Sequence, residues 1–471
     1  MTQTPNSHPL KRLITLAALL LLSLGAPPTS VQAAPAAQSG DPIYLVQSGD
    51  TLNSIALRFG VTSEELQSAN SITDPNSLAI GQQLVIPGLE GITGFLTSEV
   101  IPLGTSLTGL TRQYQLDQAD LVTLNRITSP SEAIAGIKLI VAVDENADPL
   151  TPVTSIQPGE TALEAAIRAN TSPWALEADN DLQGSWDFIP GDRLYGPAQE
   201  DVPPANLLPG VSEFSVSPMP VLQGEALEIA LQSDGVISFA GEFDGQPLNF
   251  YSDDGSEFYS FHGIHALAET GVYPLRITAT QPDGQTQTFE QMVLLADVAY
   301  GDEYVYVTSG LSQEEITTEE VFLAEALGTP TAERLWDGQF RYPVDEPCLG
   351  SLFGPDRNYN DGELYFYHTG LDFKVCAQNL NIYAPAAGKV IVAETLPIKG
   401  NAVYIDHGWG VYSGFAHLAE FNVEVGDMVQ PGDIIGQIGN TGRSAGPHLH
   451  FEINIGSTPV NPMTWLEEEF P

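Results

Sequence analysis

Basic residues are scarce in this chain of 471: 16 Lys and Arg stand against 60 Asp and Glu, a formal net charge of −44. So acidic a surface repels phosphate backbones and anionic headgroups, which excludes nucleic acid and anionic membrane as electrostatic partners. It equally excludes capture of other anionic polymers by charge. Cysteine is nearly absent, with only Cys348 and Cys376. No C-x2-C metal pair exists, and the default for two cysteines in an exported chain is a disulfide. Long apolar runs are missing too. The run over residues 13–26 is too short, and too soon broken by Pro27-Pro28, to be read as a membrane span. It follows Lys11-Arg12 and precedes the small-residue site Val31-Gln32-Ala33, the order of a secretory signal over residues 1–34. The expectation is a secreted or cell-envelope protein, outside the cytoplasmic membrane, with no stable membrane insertion after signal cleavage. Its length is too great for one core, so several domains are expected.

Against these absences stands a repeat with a period of 55 between residues 43 and 198. Gly49, Gly104 and Gly159 share one column, and Leu66, Leu121 and Leu176 another. Asn70, Asn125 and Asn180 form a third, followed by Gly81, Gly136 and Gly191 and by Leu84, Leu139 and Leu194. A fixed period of this length means duplicated structural units. In the first unit, residues 43–47 read as a strand, and Asp50 is placed to cap a helix over 51–59. Thr62 and Glu65 make a capping box for a second helix ending near Asn70, and residues 84–86 return as a strand stopped by Pro87. The order is β-α-α-β.

Histidine is also rare, with eight residues, but five fall between 368 and 450. They are His368, His407, His417, His448 and His450. The stretches around 367–375 and 448–455 read as strands, in which alternate residues share a face. His368 and Asp372 then look the same way, as do His448 and His450. Two His and one carboxylate can hold zinc with a fourth position open, and two further His can move the protons of a water bound there. His407, which ends a strand at His-Gly, and His262 and His265, in a different domain, are expected to be ordinary core histidines.

These motifs carry a resemblance. Residues from about 348 to 465 resemble the lysostaphin-type zinc endopeptidases of peptidoglycan through His368-Thr369-Gly370-Leu371-Asp372, Ala384-Pro385-Ala386-Ala387-Gly388, Ile405-Asp406-His407-Gly408, Ala416-His417-Leu418 and Gly446-Pro447-His448-Leu449-His450-Phe451-Glu452. The resemblance implies Zn²⁺ on His368, Asp372 and His450, with His417 and His448 as the catalytic pair. One departure is Phe415, where the family often has Tyr, whose hydroxyl would be a candidate to hold the oxyanion. The first repeat resembles the LysM sugar-binding domain through Gly49-Asp50-Thr51, Asn70 and Gly81-Gln82-Gln83-Leu84-Val85-Ile86-Pro87. That resemblance implies binding of N-acetylglucosamine-containing glycan, and so of peptidoglycan, through Gly49, Asp50, Thr51 and Asn70.

The expected architecture is multidomain. After the signal come a LysM domain (43–88), a degenerate LysM-like repeat (96–143) and a further LysM-like repeat (152–197), each β-α-α-β. A Pro-rich linker (198–210) leads to an antiparallel β-sandwich, Ig-like, over 211–308, read as a spacer without chemistry. A helical connector (311–337) precedes an all-β zinc peptidase domain (346–471). The segment 425–436 is also what a lipoyl-carrier hairpin looks like, but no Lys follows Lys399, which removes that reading. The leading function is an exported zinc metalloendopeptidase acting on peptidoglycan. The alternatives are a catalytically inactive regulator that activates another wall hydrolase, and a wall-binding adaptor.

Overall fold

The computed structural model describes residues 42–471 apart from 90, 145–148, 157–158, 185–186, 199–206, 234, 237, 306–312 and 360–363. The expected signal over 1–34 and most of the expected Pro-rich linker lie outside the described residues. No helix among those described is long and apolar enough to cross a membrane.

Strand–helix–helix–strand order occurs three times. The first pass is Ile43–Leu45, Leu52–Phe59, Ser63–Asn70 and Gln83–Val85. The second is Phe95–Val100, Leu107–Tyr114, Gln118–Asn125 and Lys138–Val143, and the third Thr151–Ser155, Ala162–Arg168, Pro173–Asp179 and Arg193–Gly196. The asparagine column has a physical cause. Asn70 Nδ2 donates to Leu66 O and Val85 O (both 2.8 Å), and its Oδ1 accepts from Val85 N (2.7 Å). Asn125 makes the same three bonds to Leu121 and Ile140, and Asn180 to Leu176 and Tyr195. Each amide satisfies a helix-end carbonyl and both polar groups of one strand residue, bonds that would otherwise be lost in a buried corner. The four strands of the first two passes share one sheet, in which Ile43–Leu45 pairs in parallel with Phe95–Val100. The third pass has a two-stranded sheet of its own.

The helix at Leu52 is capped by Thr51, which accepts from Ser54 N, and not by Asp50. Asp50 instead accepts from Tyr44 Oη (2.7 Å) and Gln47 N (2.8 Å) and pairs with Arg58 (3.1 Å), with 5 % of its side chain exposed. Two periods on, Glu160 and Arg168 form the same pair at 2.7 Å.

Residues 211–296 form two sheets. Five strands run in the order Gln246–Leu248, Ser238–Phe243, Gly271–Thr280, Thr286–Ala296 and Val221–Leu222, and three in the order Glu257–Gly263, Ala226–Ser233 and Val211–Ser217. Leu227, Ile229, Phe243, Ile277 and Val293 fill the core between them. This block is more than a spacer. Phe261 reaches into the C-terminal domain against Trp465 (5.6 Å), and Tyr251 and Tyr259 stack on Trp409 (6.0 and 5.8 Å). One apolar core thus runs across both blocks, and aromatic pairs add to the burial energy of such a seam.

The helix Gln313–Leu327 follows, with Ile316, Glu319, Leu323 and Leu327 turned inward. The C-terminal domain is built on a ten-stranded sheet. Its central path includes Leu371–Lys374, His448–Ile455, Val411–Phe421, Gly400–Gly408 and Gly388–Leu396. Leu449, Phe451 and Ile453 point to one side of it, into the main core, while His448, His450 and Glu452 point to the other. Cys348 and Cys376 are joined, closing a loop that carries His368 and Asp372.

Candidate active site

Three of the five clustered histidines, His368, His448 and His450, reach Asp372, and His417 lies against the rings of His448 and His450, but their backbone supports differ from the two simple strands read in the sequence. His450 and Asp372 are cross-strand partners in the antiparallel pair of Leu371–Lys374 with His448–Ile455. His448 and His450 share a face of that strand, as expected. His368 lies just beyond the strand Leu364–Tyr367, in the break His368-Thr369-Gly370 before Leu371. At Gly370 an added Cβ would lie 2.2 Å from Phe451 O, so only glycine lets the break press onto the histidine strand. Simple alternation would send His417 to the same side as Phe415, into the core. Instead its φ is +65°, and the register against Gly400–Gly408 slips here, with Asn401 opposite Leu418 and Val403 opposite Phe415. This bulge turns His417 onto the site face, a device that re-aims side chains at functional positions.

Three atoms converge. His368 Nε2 lies 3.0 Å from Asp372 Oδ1 and 3.0 Å from His450 Nδ1, and His450 Nδ1 lies 2.9 Å from Asp372 Oδ1. The far nitrogens decide the tautomers. His368 Nδ1–H donates to Leu352 O (2.5 Å), and His450 Nε2–H donates to Glu452 Oε1 (2.9 Å). Both facing nitrogens therefore present lone pairs to a carboxylate oxygen, and three acceptors cannot sit so close without positive charge between them. Either a proton or a cation supplies it. Burial works against a proton on His450, but hydrogen bonds with Asp372 and Glu452 outweigh it and raise the pKa. Burial lowers the pKa of His368. For Asp372 burial alone would raise it, yet bonds to His368 and His450 hold the carboxyl well below its usual range.

The donor set also fits a metal. Ligands about 2.0–2.1 Å from one tetrahedral ion lie about 3.3 Å apart, close to the spacing here, and two imidazoles with one carboxylate suit zinc with a fourth position open. Asp372 Oδ2 is held by Arg357 (2.7 Å), which also pairs with Glu303 (3.0 Å), so Oδ1 alone is left for the centre. Glu452 is fully buried, takes Lys399 Nζ (2.6 Å) and Tyr404 Oη (2.8 Å), and is also bonded by Thr369. A carboxylate behind a ligating imidazole fixes its tautomer and orientation.

His417 and His448 stand apart from the three. Their Nδ1–H groups donate to Thr441 O and Gly446 O, both at 2.8 Å, which leaves each Nε2 with a lone pair. His448 Nε2 is 3.6 Å from Asp372 Oδ1, and the two rings are 4.8 Å apart. Burial, then the neighbouring His450 and His448, push His417 down to about 3, so it is neutral at pH 7. The site opens into a cavity of about 490 Å³ lined by Arg357, Lys399, Arg443 and, from the helix Gln313–Leu327, Glu319 and Glu320.

Residues 366–462 match the model of peptidase family M23, and residues 44–87 that of the LysM domain. The chain carries a family M23 peptidase domain. Over 124 residues, 26 % of the chain, it is 37 % identical to the peptidoglycan DD-endopeptidase ShyA of Vibrio cholerae, covering 29 % of that protein. Over 97 residues, 21 % of the chain, it is 42 % identical to the DD-carboxypeptidase/endopeptidase Mpg of Neisseria meningitidis serogroup B, covering 22 %. The match therefore spans less than a third of either relative. Among solved structures, the catalytic domain of lysostaphin from Staphylococcus simulans is 28 % identical over 28 % of this chain and 93 % of that one, with a TM-score of 0.21.

Other sequence expectations fall differently around the M23 domain. His407 is fully buried, bonded to Ala387 O and Ser413 Oγ (both 2.8 Å), and takes no part in the site. His265 is not a core residue: it lines the cavity edge-on to Tyr367 at 4.8 Å. Phe415 packs on Phe451 in the core at 5.4 Å, so a hydroxyl at this position would point away from His368, Asp372 and His450. Asp50, Thr51 and Asn70 use their side chains within their own unit, which leaves exposed Gly49 and the backbone around it for a ligand. No motif in the sequence assigns Arg357, Lys399 or Glu319 to the site, and Glu452 enters only as the last residue of one. Glu452 could have been found, since it continues the alternation of His448 and His450. Arg357 and Glu319 reach the site from separate elements and leave no local pattern.

Proposed function

We propose that this protein is an exported zinc metalloendopeptidase that hydrolyses peptide bonds in peptidoglycan and is held on the wall by its LysM region. The convergence of His368 Nε2, Asp372 Oδ1 and His450 Nδ1 carries the reading, because three acceptors within 3.0 Å of one another make sense around a cation. Zn²⁺ in that place supplies Lewis acidity, polarising water and a peptide carbonyl. His417 and His448 then do the proton work: one Nε2 lone pair takes a proton from water, and the resulting imidazolium returns it to the leaving amine. While it holds that proton, the same imidazolium also donates toward the developing oxyanion, the part a Tyr at position 415 could not play. Full retention of ligands and catalytic pair disfavours an inactive regulator. The names of the relatives make a D,D cross-link the first bond to test.

Incubating purified sacculi with the protein and identifying newly freed amines by mass spectrometry tests this. New amines at cross-links, abolished by chelation and restored by zinc, are expected. Wall binding without any freed amine refutes the enzyme and leaves the adaptor. Deleting residues 41–197 should weaken retention on insoluble wall while sparing cleavage of a soluble peptide, since several weak sugar sites on one chain act through effective concentration. Equal retention would remove the targeting role.

A further inference from the structure

The helix Gln313–Leu327 lies outside the segment matched to family M23, yet one of its carboxylates is built into the site's support. Glu319 is 5 % exposed, and its oxygens accept from Ile398 N (2.6 Å) and Lys399 N (3.2 Å), the turn between the strands Gly388–Leu396 and Gly400–Gly408. Two groups of the site hang from that turn. Lys399 O accepts from His417 N (2.8 Å), the backbone bond at the bulge where φ is positive. Lys399 Nζ donates to Glu452 Oε1 (2.6 Å), the same oxygen that accepts from His450 Nε2 (2.9 Å). Ile398 O also accepts from Arg443 N (2.7 Å), tying in the loop that precedes His448.

Turns joining two strands are ordinarily among the less protected parts of a sheet. Here one residue must hold a strained histidine and the partner of a metal-facing histidine at once. We propose that Glu319 is a positioning residue for the hydrolytic site: by fixing the turn at 398–399 it sets His417 directly and His450 through Lys399 and Glu452. The inference rests on the hydrolase reading above. It makes the helix a working part of the catalytic unit, so the 366–462 segment alone is an incomplete enzyme.

The test compares full-length Glu319→Ala and Glu319→Gln with the parent chain. On a soluble cross-linked peptide, Glu319→Ala should lower kcat about 10–100-fold, as loss of outer supporting partners does, with KM changed less than about threefold. Glu319→Gln keeps an acceptor oxygen and should recover most of the rate. Hydrogen exchange at the amides of Ile398, Lys399 and His417 should quicken together in Glu319→Ala while the rest of the sheet stays protected. Unchanged or raised turnover in Glu319→Ala overturns the proposal and makes the helix a mere cover; so does equal loss in both variants. If Glu319→Ala does not fold, exchange in the parent chain decides: the three amides opening as one unit supports the idea, and free exchange at 398–399 with His417 protected refutes it. A parent chain that cleaves no peptide refutes the hydrolase reading, while the exchange data still judge the coupling.

Discussion

His448 and His450 are two residues apart on one strand, yet the geometry separates their work. His450→Ala removes one of three converging atoms and leaves Glu452 buried behind an empty space with Lys399 still attached. Removing even an outer partner of a metal ligand weakens affinity about 10–100-fold, so losing the ligand itself should exceed that. His448→Ala leaves all three atoms in place, since His448 Nε2 stands 3.6 Å from Asp372 Oδ1 and its other nitrogen is spent on Gly446 O. It should keep one zinc per chain and lose about 10²–10⁴ in kcat, the worth of a positioned proton-transfer group, or roughly 3–5 kcal/mol of barrier. His417→Ala should behave like His448→Ala, and His368→Ala or Asp372→Ala like His450→Ala. The assay is zinc content after gel filtration, competition with a graded chelator, and turnover on a cross-linked peptide. If His448→Ala emerges free of metal while His450→Ala stays loaded, the assignment of ligands is reversed and the reasoning from tautomers fails.

Three further outcomes are expected. Arg357→Ala frees Asp372 Oδ2 and should weaken zinc binding about 10–100-fold, measured by chelator competition; unchanged affinity would show that Arg357 does not orient the carboxylate. Reducing Cys348–Cys376 opens a loop of sequence separation 28 and should cost about 3–4 kcal/mol by the chain-entropy model, seen as a lower Tm, whereas an unchanged Tm would discount that model here. Burial pushes His407 down to about 4, against about 6.5 in an unfolded chain, so unfolding binds a proton between those values. Its contribution is whole above pH 6.5 and is lost as pH falls toward 4, about 3 kcal/mol in all; urea midpoints from pH 7.5 to 4.5 should fall less steeply for His407→Gln, and parallel curves would contradict this.

Much of the molecule is local enough to read directly. The asparagine column at a period of 55 marks a clasp between a helix end and the strand fifteen residues on, so the unit repeats its own key residue. His448 and His450 share a face because a strand alternates, and His407 ends a strand as a buried, fully bonded residue. Other features belong to no local pattern. Alternation puts His417 in the core, and only a bulge with positive φ turns it to the site. Asp50 has the look of a helix cap, but Tyr44 and Arg58 claim its carboxylate across the unit. Arg357 and Glu319 act on Asp372 and on the turn at 398–399 from elements brought near only by folding. Spacing within one element is enough to pick out the two His and one carboxylate as a candidate metal set, with the strands that carry most of them. Which groups hold them in place depends on the fold, because a hydrogen bond between distant segments follows from where the backbone passes and leaves no period in the chain.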